Sequence, residues 1–348
     1  MNARRKSIPI RLGAVTVGGG APVSVQSMAK TDTRDAPATI RQIKKLEEAG
    51  CEIIRVAVPD MEAADALPTI KKAIRIPLVA DIHFDHRLAL AACAAGVDGL
   101  RLNPGNISQA DKVEAVVRAA AERGIPIRIG VNAGSLPRAE SHAETVSGRM
   151  VEAAMTQVRL LEGLNFNLIK VSLKAFDVPT TIEAYRAIAA LIPYPLHIGI
   201  TEAGTPRTGI IRSAVGIGSL LNMGIGDTIR VSLTAPPCEE VAAGYEILKS
   251  LGLRQRGPVL VSCPQCGRSE VSIIDLATRV EDALQHITKP IRVAVMGCVV
   301  NGPGEAADAD IGVACGKGRA VLFKHGERIG TIDEEDILDC LMREIEKM

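Results

Sequence analysis

The chain has 348 residues, 47% of them apolar and 23% charged, with a formal net charge of +1. Such a composition fits a globular protein with room for two domains and offers no net field for nucleic acid or a membrane surface. Aromatic residues are only 2% and Trp is absent, so base-stacking surfaces are not expected. The basic start, Met1 to Ser7, leads into no apolar stretch, and no run reaches membrane-spanning length; the expectation is a cytoplasmic protein that binds neither nucleic acid nor membrane. Eight cysteines in a chain without an export signal point to reduced thiols or metal ligands, not to disulfides.

After a short N-terminal segment, in which Gly18-Gly19-Gly20 reads as a hairpin turn, one pattern repeats. A short β-branched run is followed by a Gly, Asn, Asp or Pro turn and then an Ala-rich amphipathic run. Strands are predicted over Val23–Met28, Glu52–Val58, Leu78–Ile82, Gly99–Leu102, Ile127–Val131, Leu168–Leu173, Leu196–Ile200 and Thr228–Leu233. Helices are predicted around Ala38–Glu48, Glu62–Ala73, Leu88–Ala95, Gln109–Glu122, Val146–Leu161, Ile182–Leu191, Ile210–Asn222 and Cys238–Leu251. Alternation of this kind implies a parallel sheet, and eight units favour a closed (β/α)8 TIM-type barrel. No G-x-G-x-x-G follows the first strand, which weakens a dinucleotide-binding alternative.

Polar residues gather at the C-terminal ends of these strands, where a barrel places its active site. They are Gln26, Arg55, Asp81 and His83, Arg101 and Asn103, Arg128 and Asn132, Lys170 with Ser172 and Lys174, His197 with Thr201 and Glu202, and Arg230 with Ser232. Apart from Glu202 in the loop after the seventh strand, the spacing within each strand is two or a multiple of two, which sends each group to one face. The apolar Ile82, Leu102, Ile129, Val131, Val171, Leu173 and Val231 take the other. Asp81 alone would read as a local ion-pair partner, and His83 or His197 alone as satisfied core histidines. A cation at the end of at least five strands reads as a converging cup, since unpaired Arg and Lys repel one another without a ligand. Guanidinium forks suit the oxygens of a diphosphate.

The strand–helix rhythm stops at Leu253-Arg254-Gln255-Arg256-Gly257-Pro258, which sets domain limits at 1–253 and 258–348. The second domain reads as small and α+β: a strand to Cys263, a helix over Ile273–His286, a strand to Cys298, a short β region across Ile311–Thr331 and a helix over Glu334–Lys347. Gly316-Lys317-Gly318-Arg319 is a hairpin turn. The first strand runs into Cys263-Pro264-Gln265-Cys266-Gly267. The second runs into Gly297-Cys298-Val299-Val300-Asn301-Gly302-Pro303-Gly304-Glu305, where Gly302 to Gly304 read as a tight exposed turn. Two thiols from one turn and one from another, with Glu305 nearby, suit zinc or an iron–sulfur cluster better than they suit ordinary buried cysteines. In such a barrel the eighth helix ends opposite the cup. A linker of about six residues spans at most roughly 20 Å, too little for the cysteines to climb back over their own barrel. The expectation is a head-to-tail homodimer in which each small domain caps the partner's barrel.

These residues resemble the 4-hydroxy-3-methylbut-2-enyl diphosphate synthase family of the non-mevalonate isoprenoid pathway, nearly end to end. The likeness rests on Pro22 to Met28 with Thr31 to Asp35, Asp81 to Phe84, Arg101 to Asn106, Arg128 to Asn132, Thr201 to Gly204, Arg230 to Leu233, Cys263 to Cys266 and Gly297 to Glu305. The length matches the bacterial two-domain form. Phe176 stands where a small residue is expected. The resemblance implies a 4Fe–4S cluster on Cys263, Cys266, Cys298 and Glu305. Cys315 is the rival fourth ligand; it is expected to be buried and structural, as are Cys51, Cys93, Cys238 and Cys340. The implied substrate is 2-C-methyl-D-erythritol 2,4-cyclodiphosphate, opened by two electrons with loss of water. Arg55, Arg101, Arg128, Lys174, Arg230 and Ser232 would hold the diphosphate, with Asp81, His83, Asn103, Asn132 and His197 alongside and Glu202 as proton donor. The implied electron donor is a ferredoxin or flavodoxin. The rival readings are a pterin- or nucleotide-binding barrel with a zinc-stabilised cap and a non-catalytic iron–sulfur carrier.

Overall fold

The computed structural model describes residues 2–83, 85–102, 107, 109–136, 143–298 and 302–348. The chain divides into two compact units, Met1–Arg254 and Gln255–Met348. Among the described residues no helix is long and apolar enough to cross a membrane.

The first unit begins with an antiparallel hairpin, β1 (Ile10–Leu12) and β2 (Val15–Val17). Its turn is Gly13-Ala14, with Gly13 at φ +52°, and not the three glycines, which make a separate turn after β2. The strands β3 (Ser24–Met28), β4 (Ile53–Ala57), β5 (Leu78–Asp81), β6 (Gly99–Arg101), β7 (Ile127–Asn132), β8 (Ile169–Lys174), β9 (His197–Ile198) and β10 (Thr228–Ile229) form one parallel sheet. Its order is β8-β7-β6-β5-β4-β3-β10-β9. Helices α1 (Ala36–Ala49), α2 (Met61–Ala73), α3 (His86–Ala94), α4 (Ala110–Glu122), α5 (Val146–Gly163), α6 (Val178–Leu191), α7 (Pro206–Asn222) and α8 (Pro237–Ser250) follow the strands in turn. Asp35, Asp60, Asp85 and Asp177 each accept a backbone N–H in the first turn of the next helix, so the βα turns carry their own start signals.

The sheet closes into a nearly complete (β/α)8 barrel across the seam between β8 and β9. One bridge, Val171 to Leu196, joins them, with Val171 N donating to Pro195 O at 3.0 Å. Tyr185 of α6 completes the seam: its hydroxyl accepts from Leu173 N at 3.0 Å and donates to His197 O at 2.5 Å. The two last strands are much shorter than predicted. At Gly199 the backbone opens to admit Arg230 O and Lys174 Nζ, which a Cβ would strike.

The hairpin plugs one end of the barrel. Ile10, Leu12 and Val17 pack with the inward Ile53 and Val79 into a separate apolar cluster. Above that floor the interior changes character. Two residues further along the same strands stand Arg55 and Asp81, and side chains two apart in a strand share a face. Barrel interiors are ordinarily filled by branched apolar layers; here the apolar core lies instead between sheet and helices, with Ile54, Val56, Ile82, Ile129, Val171 and Leu173 all buried in it.

The second unit has a five-stranded sheet ordered β11 (Val259–Ser262), β12 (Arg292–Met296), β13 (Ile311–Gly316), β14 (Arg319–Lys324), β15 (Glu327–Asp333). β11 to β13 are parallel, and β13 to β15 are antiparallel. Helices α9 (Ile273–Leu284) and α11 (Ile337–Lys347) share one apolar cluster with β12 and β13, through Ile273, Val280, Val293, Val313 and Leu341. A short helix, α10 (Gly302–Ala307), packs through Ala306 with Ala294 and Met296 in a separate cluster. Gly302 to Gly304 are therefore the first turn of a helix and not a tight turn, with Gly302 buried and Gly304 exposed. A Cβ on Gly302 would come within 2.9 Å of Ala314 Cβ, and one on Gly312 within 3.1 Å of Ala306 Cα. Close helix–sheet packing, not turn geometry, requires the glycine.

Candidate functional site

The strand ladder sets Asp81 beside Arg101, Arg101 beside Arg128 and Arg128 beside Lys170, one belt across four adjacent strands. Further along, Lys174 lies beside Asn132 and Ser172 beside Gly130. Arg101, Arg128, Lys170 and Lys174 are buried, and Arg55 and Arg230 are nearly so. Among the described residues, six cations thus line one interior against Asp81 and Glu240, with Asp227 also acting on Lys170. Asp81 Oδ1 lies 3.2 Å from Arg101 Nη1, and its Oδ2 lies 3.4 Å from Arg55 Nε. Glu240, in the first turn of α8, accepts from Leu233 N at 2.9 Å and pairs with Lys30 at 2.9 Å and Arg230 at 3.8 Å. Two interior positions without side chains make room for the long cations. A Cβ on Gly130 would sit 2.8 Å from Arg101 Nε, and one on Gly199 would sit 2.9 Å from Lys174 Nζ.

Burial and mutual repulsion show in the acid–base behaviour. Burial pulls Arg55 down to about 10 and Lys170 down to about 7, with neighbouring arginines adding to both. Burial and the surrounding cations push Arg128, Lys174 and His197 well below their ordinary values. Burial alone would raise Asp81, but Arg55, Arg101 and Arg128 outweigh it and hold the carboxyl low. Much donor capacity is unused. Arg128 Nη1 donates to Ser172 Oγ at 2.6 Å, while its Nε and Nη2, Arg101 Nε, Arg230 Nε, Lys170 Nζ and both ring nitrogens of His197 find no partner among the described residues. Buried donors in such number are costly unless something accepts from them, and a multiply charged anion with many oxygens does so.

The predicted residues divide as follows. Arg55, Asp81, Arg101, Arg128, Lys170, Lys174, His197 and Arg230 come together inside the barrel. Half-buried Asn132 and Ser232 lie on the same strand ends. His83 is exposed, with its ring 3.4 Å from Arg101 Nη1 and 3.7 Å from Asp81 Oδ1. Asn103 lies outside the described residues. Glu202 is exposed at φ +53° and makes no ion pair among the described residues. Lys30, Gly130, Gly199 and Glu240 did not stand out from sequence. A glycine at an inward strand position is the one signal that marks two of them.

In the second unit, Cys263 and Cys298 follow the ends of the neighbouring parallel strands β11 and β12. The two corners are tied: Gly297 N donates to Cys263 Sγ at 3.3 Å and Glu270 N to Gly297 O at 3.0 Å. A Cβ on Gly297 would sit 3.4 Å from that sulfur. Cys266 is exposed in the turn after β11, and Glu305 is exposed in the first turn of α10. Among the described residues no three such donors enclose a metal-ion position as they stand. The donor set nevertheless fits an iron–sulfur cluster: three soft thiols, two of them on tied corners of one sheet edge, and an exposed carboxylate on the helix packed beside it. Cys315 is buried in the unit's core, where burial pushes its thiol up to about 12. Cys51 and Cys93 are buried too, whereas Cys238 and Cys340 are only half-buried, contrary to expectation.

Residues 7–245 match the model of the GcpE TIM-barrel domain and residues 259–347 that of the GcpE protein C-terminal domain. A protein of Dehalococcoides mccartyi (strain CBDB1), named 4-hydroxy-3-methylbut-2-en-1-yl diphosphate synthase (flavodoxin), is 68% identical over 99% of both chains. Identically named proteins of Geobacter sulfurreducens and Thermodesulfovibrio yellowstonii are 57% identical over 99% of this chain and 98% of theirs, and 55% identical over the full length of both. Among solved structures, the dihydropteroate synthase of Yersinia pestis superposes with a TM-score of 0.53 at 11% identity, over 71% of this chain and all of that one; this likeness speaks to the barrel fold alone. The chain belongs to the GcpE family.

Proposed function

We propose that the chain catalyses reductive ring opening of 2-C-methyl-D-erythritol 2,4-cyclodiphosphate to (E)-4-hydroxy-3-methylbut-2-enyl diphosphate, as an iron–sulfur oxidoreductase of the cytoplasm. The observation that carries this reading is the excess of buried, unpartnered cationic donors inside the barrel. Arg55, Arg101, Arg128, Lys174, Arg230 and Ser232 bind the diphosphate, with His83, Asn103, Asn132 and His197 beside them. Asp81 and Glu240 hold the guanidinium groups in place before the substrate arrives. When the ring C–O bond breaks, the diphosphate gains negative charge, and fixed cations in a water-poor site stabilise that change. Glu202 gives a proton to the hydroxyl that leaves as water. Cys263, Cys266, Cys298 and Glu305 would hold a 4Fe–4S cluster. Such a cluster, when bound, would pass on one at a time the two electrons that the ring opening consumes, drawn from the external donor. Glu305, a harder ligand than a thiolate, would be the most readily exchanged of the four. The relatives' names point to flavodoxin as the donor, and a ferredoxin serves the same chemistry.

Anaerobically reconstituted protein is expected to be brown and to convert the cyclic diphosphate when given a reductant. Cys298→Ser should remove both the colour and the turnover. Full turnover by iron-free protein would overturn the proposal, and a bound zinc ion would favour the capped-barrel rival. The head-to-tail dimer belongs to the same reading, because the eighth helix returns the chain to the floor end of the barrel. An Arg128→Ala subunit exchanged with a Cys298→Ser subunit should regain activity; verified exchange without recovery rules out capping in trans.

A further inference from the structure

We propose that Arg212, stacked on Phe176, is the positioning residue that fixes Glu202. This rests on reading Glu202 as the proton donor. Glu202 stands in the loop between β9 and α7 and, being exposed without a partner among the described residues, takes its direction from the backbone alone. That backbone is in the left-handed region, at φ +53°. A non-glycine residue stays there only where its surroundings over-determine the conformation.

The neighbours supply that constraint from three sides. Thr201 N donates to Ala175 O at 3.3 Å, in the turn after β8. Thr234 N donates to Gly204 O at 2.9 Å, from the segment after β10. Between these, Arg212 Nη1 of α7 donates to Ala203 O at 2.8 Å, the carbonyl next after Glu202. Ala203 is fully buried, so this carbonyl has little water to turn to. The Arg212 guanidinium lies 4.9 Å from the centroid of the Phe176 ring. Phe176 is 51% exposed, and the face of its ring carries the guanidinium. One arm of the guanidinium thus grips the loop while its plane rests on a ring anchored next to Ala175, the residue that bonds Thr201. A lysine can do the first of these things but not the second.

The test uses the reconstituted holoenzyme. Arg212→Met is expected to lower kcat by about 10- to 100-fold, as misplacing a reacting group by around an ångström does. KM for the cyclic diphosphate and Kd for pyrophosphate should stay within about twofold, because the loop is not read as part of the anion cup. Arg212→Lys should recover part of the loss, and Phe176→Leu should show a smaller loss of the same kind. In a Glu202→Gln background, Arg212→Met should cost nothing further in kcat, since the two act as a unit. An equal loss in both backgrounds, or KM rising together with the fall in kcat, overturns the positioning role. Wild-type turnover by Glu202→Gln overturns the underlying assignment of Glu202 and the positioning role with it. If Arg212→Met does not fold, Phe176→Leu in the two backgrounds separates the same outcomes.

Discussion

The floor and the upper interior of the barrel are built on the same strands and behave oppositely. On β4, Ile53 faces an apolar floor and Arg55 a charged interior; on β5, Val79 and Asp81 repeat the contrast. The floor stabilises the fold by removing apolar surface from water, as any core does. The upper interior opposes folding, because among the described residues its six cations are stripped of water with too few carboxylates to balance them. The difference teaches that a binding site can be stored inside a scaffold as unrelieved charge, provided another layer of the same scaffold holds it together.

The sharpest way to break this contrast is at Asp81. Asp81→Asn removes the buried carboxylate shared by Arg55 and Arg101, and the loss of stability without ligand is expected to be about 3–5 kcal/mol. Pyrophosphate should restore much of it, so its effect on Tm should be larger in the variant than in the parent. Ile53→Ala is the matched floor substitution. It should cost about 2–5 kcal/mol, with the Tm gain from pyrophosphate unchanged. If thermal scans give both variants the same gain, floor and upper interior do not differ as described.

The smallest effect is at Lys170 and reverses sign. With Lys170 near 7 in the folded chain and 10.5 as its ordinary value, the unfolded chain holds an extra proton between those limits. Stability therefore climbs with pH from about 7 to about 10.5. Lys170→Met should lessen that climb, to which Lys174 also contributes, and stabilise the protein at pH 7 by about 1–4 kcal/mol, the range seen when buried charge gives way to apolar packing. Denaturant titrations across this pH range check it. In the parent, pyrophosphate binding should weaken as pH rises through 7 and Lys170 loses its proton.

Much of this arrangement was legible in the sequence because charge at every second strand position is hard to explain otherwise. Arg55, Arg101, Arg128, Lys170, Lys174 and Arg230 announced themselves in that way. Their restraints did not. Glu240 reads as an ordinary acidic residue at a helix start, and only the fold brings it to Arg230 and Lys30. The floor was also hidden, since pairing a hairpin near residue 10 with Ile53 and Val79 is a long-range choice. Gly13-Ala14 lost to the more conspicuous three glycines as a turn. Gly302 to Gly304 read as a tight exposed turn, yet Gly302 packs against Ala314 and Met296 at the start of a helix. Local propensity yields wherever close contact needs a missing side chain.

Tyr185 has a consequence for how the barrel stays closed. Its phenol is the buckle of the hoop, taking a proton bond from one stave and giving one to the next. Helix docking and hoop closure are thereby coupled: whatever shifts α6 off the sheet strains two bonds of the β8–β9 seam at once, leaving the Val171–Leu196 bridge to hold the staves together.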